Sequence, residues 1–418
     1  MNFFEYKNDD LFCEDVDVAG IAEQIGTPLY LYSWATMARH FRIFRDAFNG
    51  LKHLICFSVK SNSNLAILKT MASEGGGADI VSGGELYRAI QAGIRPNKIV
   101  FSGVGKTPED IEMALKSNIL MFNVESDQEL KTINSVARKI GRKATIALRI
   151  NPDIEADTHP YIVTGFNENK FGIQIDDALN TYEMAMGLEN IDIKGISCHI
   201  GSQLTEITPF IDALVKLREL SQRIRKMGIN ITFLDIGGGL GITYDTENPP
   251  NPSEYADALK EIIGKDQLTL ILEPGRVIMG NAGILVTRVI YTKSTPIKKF
   301  IIVDAGMNDL IRPSLYNSFH SVLPVKKTDS EIITADLVGP ICETGDFFAK
   351  DRKMPSFKQG DLVALMSAGA YGFSMASNYN SRPRPAEVLV KKKEFSLIRS
   401  RETLDDLVRG ETIPEFID

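Results

Sequence analysis

At 418 residues the chain is longer than one small core would organise, so two domains are expected. Its composition, 44% apolar and 24% charged, is that of a folded globular protein and excludes a disordered one. The net charge of -7 is spread along the chain without a long basic run, which argues against nucleic acid and anionic membrane surfaces as partners.

The opening stretch, MNFFEYKNDDLFCEDV, is acidic where a secretion signal would be basic, and no run of about 18 apolar residues occurs, so a cytoplasmic setting is expected. Cys13, Cys56, Cys198 and Cys342 lie far apart without CxxC spacing, and neither a disulfide framework nor a metal site is expected. The first strand candidate is PLYLYS, ending at Ser33. Eight units then follow, each a short β-branched or apolar run closing on glycine or polar residues and leading into a segment of helical periodicity. The runs are HLICFSVKSN from His53, GADIVSGGE from Gly77, KIVFSGVGK from Lys98, LMFNVES from Leu120, TIALRINP from Thr145, GISCHIGSQ from Gly195, FLDIGGGLG from Phe233 and LTLILEPGR from Leu268. Eight such units predict a (β/α)8 TIM barrel over 36–281. GFNENKFG, at 165–172, lies in the longest connection and is a candidate mobile loop.

Beyond about Gly280 the rhythm becomes strand without helix: GILVTRVIYTKS, KKFIIVDAGM, EIITADLVGPIC, DLVALMSAGAYG and AEVLVKKKEFSLI. This predicts an antiparallel, β-barrel-like second domain made of 282–418 with 1–35.

Chemistry in a barrel gathers at the C-terminal strand ends. Those ends carry Lys60, Ser82, Glu85, Glu125, Asn151, His199, Ser202, Gly237 to Gly239, Glu273 and Arg276. Each has a plain alternative. A lysine at a strand end is usually solvated, a lone histidine is usually a satisfied neighbour of a site, GGGLG serves equally as a tight turn, and EPGR reads as a Pro-Gly turn with a flanking ion pair. Cys342 alone reads as buried apolar filler. Taken together they are more specific. A lysine amine in a partly dry mouth can form an imine with an aldehyde. A glycine turn at the seventh strand, followed by a helix, offers N–H groups to a phosphate, and a carboxylate at the eighth strand can hold a ring nitrogen protonated. Aldehyde, phosphate and protonated ring describe pyridoxal phosphate.

Seven blocks then appear in order over nearly the whole chain: FSVKSNSN around Lys60, HIGSQ at 199–203, GGGLG at 237–241, EPGR at 273–276, DAGMNDLIRPSLY at 304–316, GPICETGD at 339–346 and GAYGFSMASNYNSRPRPAEVL at 369–389. In these the chain resembles the diaminopimelate decarboxylases, departing where Ser61 follows the lysine in place of a common alanine. The resemblance implies a homodimer with shared active sites and pyridoxal 5'-phosphate as cofactor. It would decarboxylate meso-2,6-diaminopimelate to L-lysine and CO2, the last step of lysine biosynthesis. It further implies Lys60 as the residue in imine linkage, His199 against the pyridine face and Glu273 on the ring nitrogen. Asp79, Ser202, Gly238, Gly239, Gly275, Arg276 and Tyr371 would complete the cofactor site. Arg276, Arg312 and Tyr316 would take substrate carboxylates, Glu343 the substrate amine, and Tyr371 both substrate and cofactor. Cys342, with Glu343, would reach in from the partner subunit as proton donor.

A related decarboxylase of ornithine, arginine or a carboxylated polyamine would share the cofactor set, but a diamine-forming enzyme needs an acidic distal pocket where this chain supplies Arg312. An alanine racemase sets an arginine against the ring nitrogen, whereas this chain has Glu273. A non-catalytic pyridoxal phosphate carrier would leave residues 281–418 without a purpose.

Overall fold

The computed structural model describes residues 2–154, 170–264 and 267–417, so the leading part of the 165–172 segment lies outside the described residues. The chain divides into two compact units, one of residues 38–278 and one of 1–37 with 279–418.

The first unit is a closed parallel barrel. Its strands are β1 (His53–Ser58), β2 (Gly77–Ile80), β3 (Ile99–Phe101), β4 (Met121–Val124), β5 (Ala144–Asn151), β6 (Ile191–Ser197), β7 (Phe233–Asp235) and β8 (Thr269–Leu272). Each pairs in parallel with the next, and β8 returns to β1 with Leu270 beside His53, so the sheet has no free edge. Helices follow as α1 (Leu65–Ser73), α2 (Gly83–Gln91), α3 (Pro108–Ser117), α4 (Asp127–Lys139), α5 (Ala178–Met186), α6 (Thr208–Lys226) and α7 (Pro252–Ile263). Their starts are fixed locally. Ser82 and Ser126 accept the third backbone N–H of α2 and α4, and Thr107 with Asp110 and Asn251 with Glu254 form reciprocal capping boxes at α3 and α7.

Cys56, Val100, Met121, Ala147 and Ile271, one from each of five strands, are fully buried against one another. Side chains two residues apart on a strand share a face. Two residues further along, these strands or the residues just after them carry Ser58, Ser102, Asn123, Arg149 and Glu273, and β2, β6 and β7 carry Asp79, Ser197 and Asp235 two residues after Gly77, Gly195 and Phe233. All eight are buried. The inward face therefore changes within one step from an apolar plug to a layer of polar groups at the C-terminal end.

The second unit is a sheet, mostly antiparallel, in the order 347–355, 332–338, 299–303, 283–294, 29–33, 386–391, 394–399, with 322–324 and 362–365 attached beside it. Two pairings are parallel, Lys299–Val303 with Ile332–Val338 and Ala386–Lys391 with Leu29–Ser33. The N-terminal strand candidate is thus a central strand, flanked by Gly283–Ser294 and Ala386–Lys391. Leu29, Leu31, Ile284, Val286, Val388 and Val390 form its buried core, to which Leu11, Val18 and Ile21 from the N-terminal segment are packed. That segment also forms a small three-stranded sheet, Phe4–Lys7, Asp10–Cys13 and Val16–Asp17. Among the described residues no helix is long and apolar enough to cross a membrane.

Candidate active site

Lys60 sits in a 3-10 turn, Val59–Ser61, that follows β1 directly. Its Nζ lies 2.8 Å from Asp79 Oδ2, with its own side chain 36% exposed and that of Asp79 fully buried. Ser58 Oγ lies 3.0 Å from the same Asp79 oxygen and 2.9 Å from the Glu273 carbonyl, joining β1, β2 and β8. Glu273 Oε1 accepts from Ser102 Oγ and Asn123 Nδ2, both at 3.3 Å, and Asn123 Nδ2 also donates to Asp235 Oδ2 at 2.9 Å. Burial first, and then Asp235 and Asp79, raise the Glu273 carboxyl well above the usual carboxylate range.

His199 is held neutral. Burial lowers it well below the usual histidine value, and the cations of Arg149 and Lys60 act in the same direction. The Gly238 N–H donates to its Nδ1 at 3.3 Å, which leaves the ring proton on Nε2.

The glycine loop after β7 is built for close approach. Gly237 and Gly239 have φ of +67° and +113°, where side-chain-bearing residues are strained. A Cβ on Gly238 would stand 2.3 Å from the Glu273 carbonyl oxygen, and one on Gly239 would stand 2.6 Å from that of Gly201. A Cβ on Gly275 would come within 3.0 Å of Ser58 and Ser61 Cβ. The loop is stitched to the 199–204 segment by Leu204 N–H to the Gly239 carbonyl and Gly241 N–H to the Leu204 carbonyl, each 2.9 Å. Arg276 bridges across, donating to Ser202 Oγ at 3.0 Å and to Tyr244 Oη at 2.8 Å. One expectation is corrected: no helix follows GGGLG directly, because α7 begins only at Pro252. The loop is bordered by glycine, serine and arginine groups rather than by a helix end.

The other expected positions divide. Ser82 is the cap of α2, and Glu85 accepts from the Val81 N–H at 2.8 Å, its carboxyl pushed up to about 7 by burial. Glu125 pairs with Arg149 at 2.6 Å and accepts from the N–H groups of Gly103 and Gly172. Asn151 accepts from the Asp153 N–H at 3.0 Å. Asn123, Asp235 and Ser102 were not singled out from the sequence. The signal that finds them is a polar residue two positions after an inward apolar one.

In the second unit Arg312 opens a short helix, Arg312–Tyr316, and is buried, with Nη1 3.1 Å from His320 Nε2 and Nη2 3.3 Å from Ser318 Oγ. Tyr316 is half-buried on that helix. Tyr371 has φ +56°, an uncommon conformation for a tyrosine. Cys342 and Glu343 are exposed, which removes the reading of Cys342 as core filler. Their loop is pinned by Asp346, whose oxygens accept from the Met307 and Ile341 N–H groups at 2.7 Å.

Residues 34–280 match the family "pyridoxal-dependent decarboxylase, pyridoxal binding domain". The chain is 53% identical to the diaminopimelate decarboxylase of Haemophilus influenzae, over 97% of this chain and 98% of that one. It belongs to the diaminopimelate decarboxylase family. Crystal structures of diaminopimelate decarboxylases complexed with L-lysine agree in fold. That from Helicobacter pylori is 45% identical with a TM-score of 0.91, covering 94% of this chain and 98% of its own. That from M. jannaschii is 39% identical with a TM-score of 0.94, covering 99% and 98%.

The residues fit the family's cofactor, pyridoxal phosphate. An amine able to condense with an aldehyde stands beside a carboxylate, and a glycine cradle occupies space that Cβ atoms would fill. Asp79 Oδ1 and Asn123 Oδ1 are buried without a partner among the described residues, two acceptors in the polar layer that await a donor.

Proposed function

We propose that this chain decarboxylates meso-2,6-diaminopimelate to L-lysine and CO2, using pyridoxal 5'-phosphate. The observation that carries the reading is full-length identity of 53% to a diaminopimelate decarboxylase, joined to a barrel mouth in which Lys60, Asp79, His199 and Glu273 converge. The cofactor supplies an electron sink for the pair left behind when CO2 departs.

Lys60 is the amine that carries the cofactor, and Asp79 at 2.8 Å orients it and balances its charge. Neutral His199, fixed by the Gly238 N–H, offers a flat ring face without adding positive charge to the mouth. Gly238, Gly239, Gly275, Ser202 and Arg276 hold the phosphate, since backbone at these glycines is open to close approach and Arg276 is already oriented onto Ser202. Glu273 would meet the ring nitrogen, and Tyr371 would contact cofactor and substrate. Arg276, Arg312 and Tyr316 receive substrate carboxylates and Glu343 the substrate amine. Arginine suits a distal end that carries a second amino acid group, because a site built for charge rejects analogues lacking it.

The active form is a homodimer in which Cys342 and Glu343 of one copy complete the site of the other, Cys342 donating the proton that replaces CO2. Exposure of both residues on a pinned loop supports this. All four cysteines are unpaired, which suits a reducing cytoplasm.

The substrate is tested by CO2 release from meso-diaminopimelate beside L-ornithine, L-arginine and L-lysine. Turnover with meso-diaminopimelate alone is expected, and preferential turnover of any of the others overturns the reading. The dimer is tested by mixing Lys60→Ala and Cys342→Ala proteins, each inactive alone. With confirmed subunit exchange, about a quarter of wild-type sites should return, because about half the dimers are mixed and each mixed dimer has one intact site. No recovery refutes shared sites.

A further inference from the structure

Behind Glu273 lies a second carboxylate. Asp235 ends β7, is fully buried, and shares an amide with Glu273: Asn123 Nδ2 stands 2.9 Å from Asp235 Oδ2 and 3.3 Å from Glu273 Oε1. Its other oxygen accepts from the Gly237 N–H at 2.9 Å, so the side chain is fixed at the root of the glycine loop. The titratable groups around the two acids are Asp79 and Lys60, which pair with each other, and the thiols of Cys56 and Cys198, which burial keeps neutral. Among the described residues neither Asp235 nor Glu273 forms an ion pair with a lysine or arginine.

Two carboxyls this close in a dry site do not both ionise readily. Burial raises both, Asp235 to about 6 and Glu273 well beyond its usual range, with the Asp235 charge next after burial in raising Glu273. The pair therefore favours holding a proton that either acid alone would release more readily.

We propose that Asp235 is a positioning residue that acts through Glu273: its negative charge keeps a proton between Glu273 and the ring nitrogen of pyridoxal phosphate. This rests on the reading of Glu273 as the ring-nitrogen partner. An electron sink works only while that nitrogen stays protonated, and a lone buried glutamate holds the proton less firmly than one with a second carboxylate behind it. Asp235 also lies within hydrogen-bonding reach of Glu273 itself, while its oxygens accept from Asn123 and Gly237, so its charge acts on Glu273 at close range.

The test loads wild type, Asp235→Asn and Glu273→Gln with pyridoxal phosphate labelled with 15N in the ring. The ring-nitrogen chemical shift is followed from about pH 6 to about pH 9, together with kcat and KM. Asparagine keeps the shape and an oxygen for the Gly237 N–H but carries no charge. In Asp235→Asn the affinity of the ring nitrogen for its proton should fall by about tenfold or more. Its kcat should fall with it, while KM changes little. Glu273→Gln should lose the ring proton more completely. If Asp235→Asn matches wild type in chemical shift across the range while Glu273→Gln does not, the inference is overturned and the role of Glu273 survives. If Glu273→Gln also leaves the signal unchanged, the reading of Glu273 itself fails. Should Asp235→Asn not fold, Asp235→Ser keeps a hydroxyl for the Gly237 N–H and carries the same expectations.

Discussion

Replacing Lys106 with methionine should cost this protein several kcal/mol, and the cost should depend on pH. The Lys106 side chain is fully buried, and its Nζ donates to the Gly103 carbonyl at 2.7 Å, the Asn123 carbonyl at 2.8 Å and Glu129 Oε1 at 2.7 Å. Methionine fills much of the same volume but leaves Glu129 buried without its counter-ion and two carbonyls without that donor. Breaking a buried pair from one side costs about 3–5 kcal/mol. Burial already raises the Glu129 carboxyl although Lys106 pulls it down, so loss of the lysine raises it further. A carboxyl whose folded value lies above its unfolded one favours the folded state most below the unfolded value, and that contribution is lost as pH rises through the folded value. The deficit in Lys106→Met should therefore be largest near pH 8 and shrink toward pH 5, where Glu129 takes up a proton. Urea unfolding followed by circular dichroism at both pH values measures it, and Lys106→Met with Glu129→Leu should recover most of the loss. A deficit under about 1 kcal/mol at pH 8, or one equal at both pH values, refutes the reasoning.

Gly238→Ala places a methyl 2.3 Å from the Glu273 carbonyl oxygen, so cofactor affinity should fall by about tenfold or more by fluorescence titration, and wild-type affinity would show that the loop is not the cradle. Lys60→Ala should abolish both turnover and borohydride-trappable cofactor, and trapping at another lysine would reassign the amine. Burial pushes the Asp309 carboxyl up to about 7, which makes the folded state lose stability as pH rises from about 4 through 7. Asp309→Asn should flatten that slope and stabilise the protein at pH 8 by on the order of 1–2 kcal/mol. An unchanged thermal-unfolding profile against pH would reject it.

The barrel was legible because every one of its strands pairs a β-branched or apolar run with a glycine or polar stop, and that pattern is local. The strand Phe347–Pro355 was not foreseen, since FFAKDRKMP carries an acid and three bases and places several of them at the surface. The small N-terminal sheet escaped for a similar reason: its strands are two to four residues long, too short for a period to emerge. At the site, Lys60 and Glu273 stood out because each closes a strand at a conspicuous motif. Asn123 and Asp235 did not, because MFNV and FLD read as ordinary strands and their polar residues gain meaning only when the closed barrel brings them to one amide. The helix expected after GGGLG failed because the loop continues through the ITYDTENPPN stretch before a capping box allows α7 to start.

The strand Leu29–Ser33 has both its neighbours far later in the chain, at Gly283–Ser294 and Ala386–Lys391. On a ribosome it is therefore made early and partnered late. Residues 38–278 contain every strand of the barrel, so this unit has all it needs to close while the apolar LYLYS segment still waits for strands not yet synthesised. Protein emerging from the ribosome can thus hold a closed barrel while this apolar strand is still unpaired and open to aggregation. Chaperone demand during synthesis should concentrate on that segment and end only once Ala386–Lys391 has left the exit tunnel.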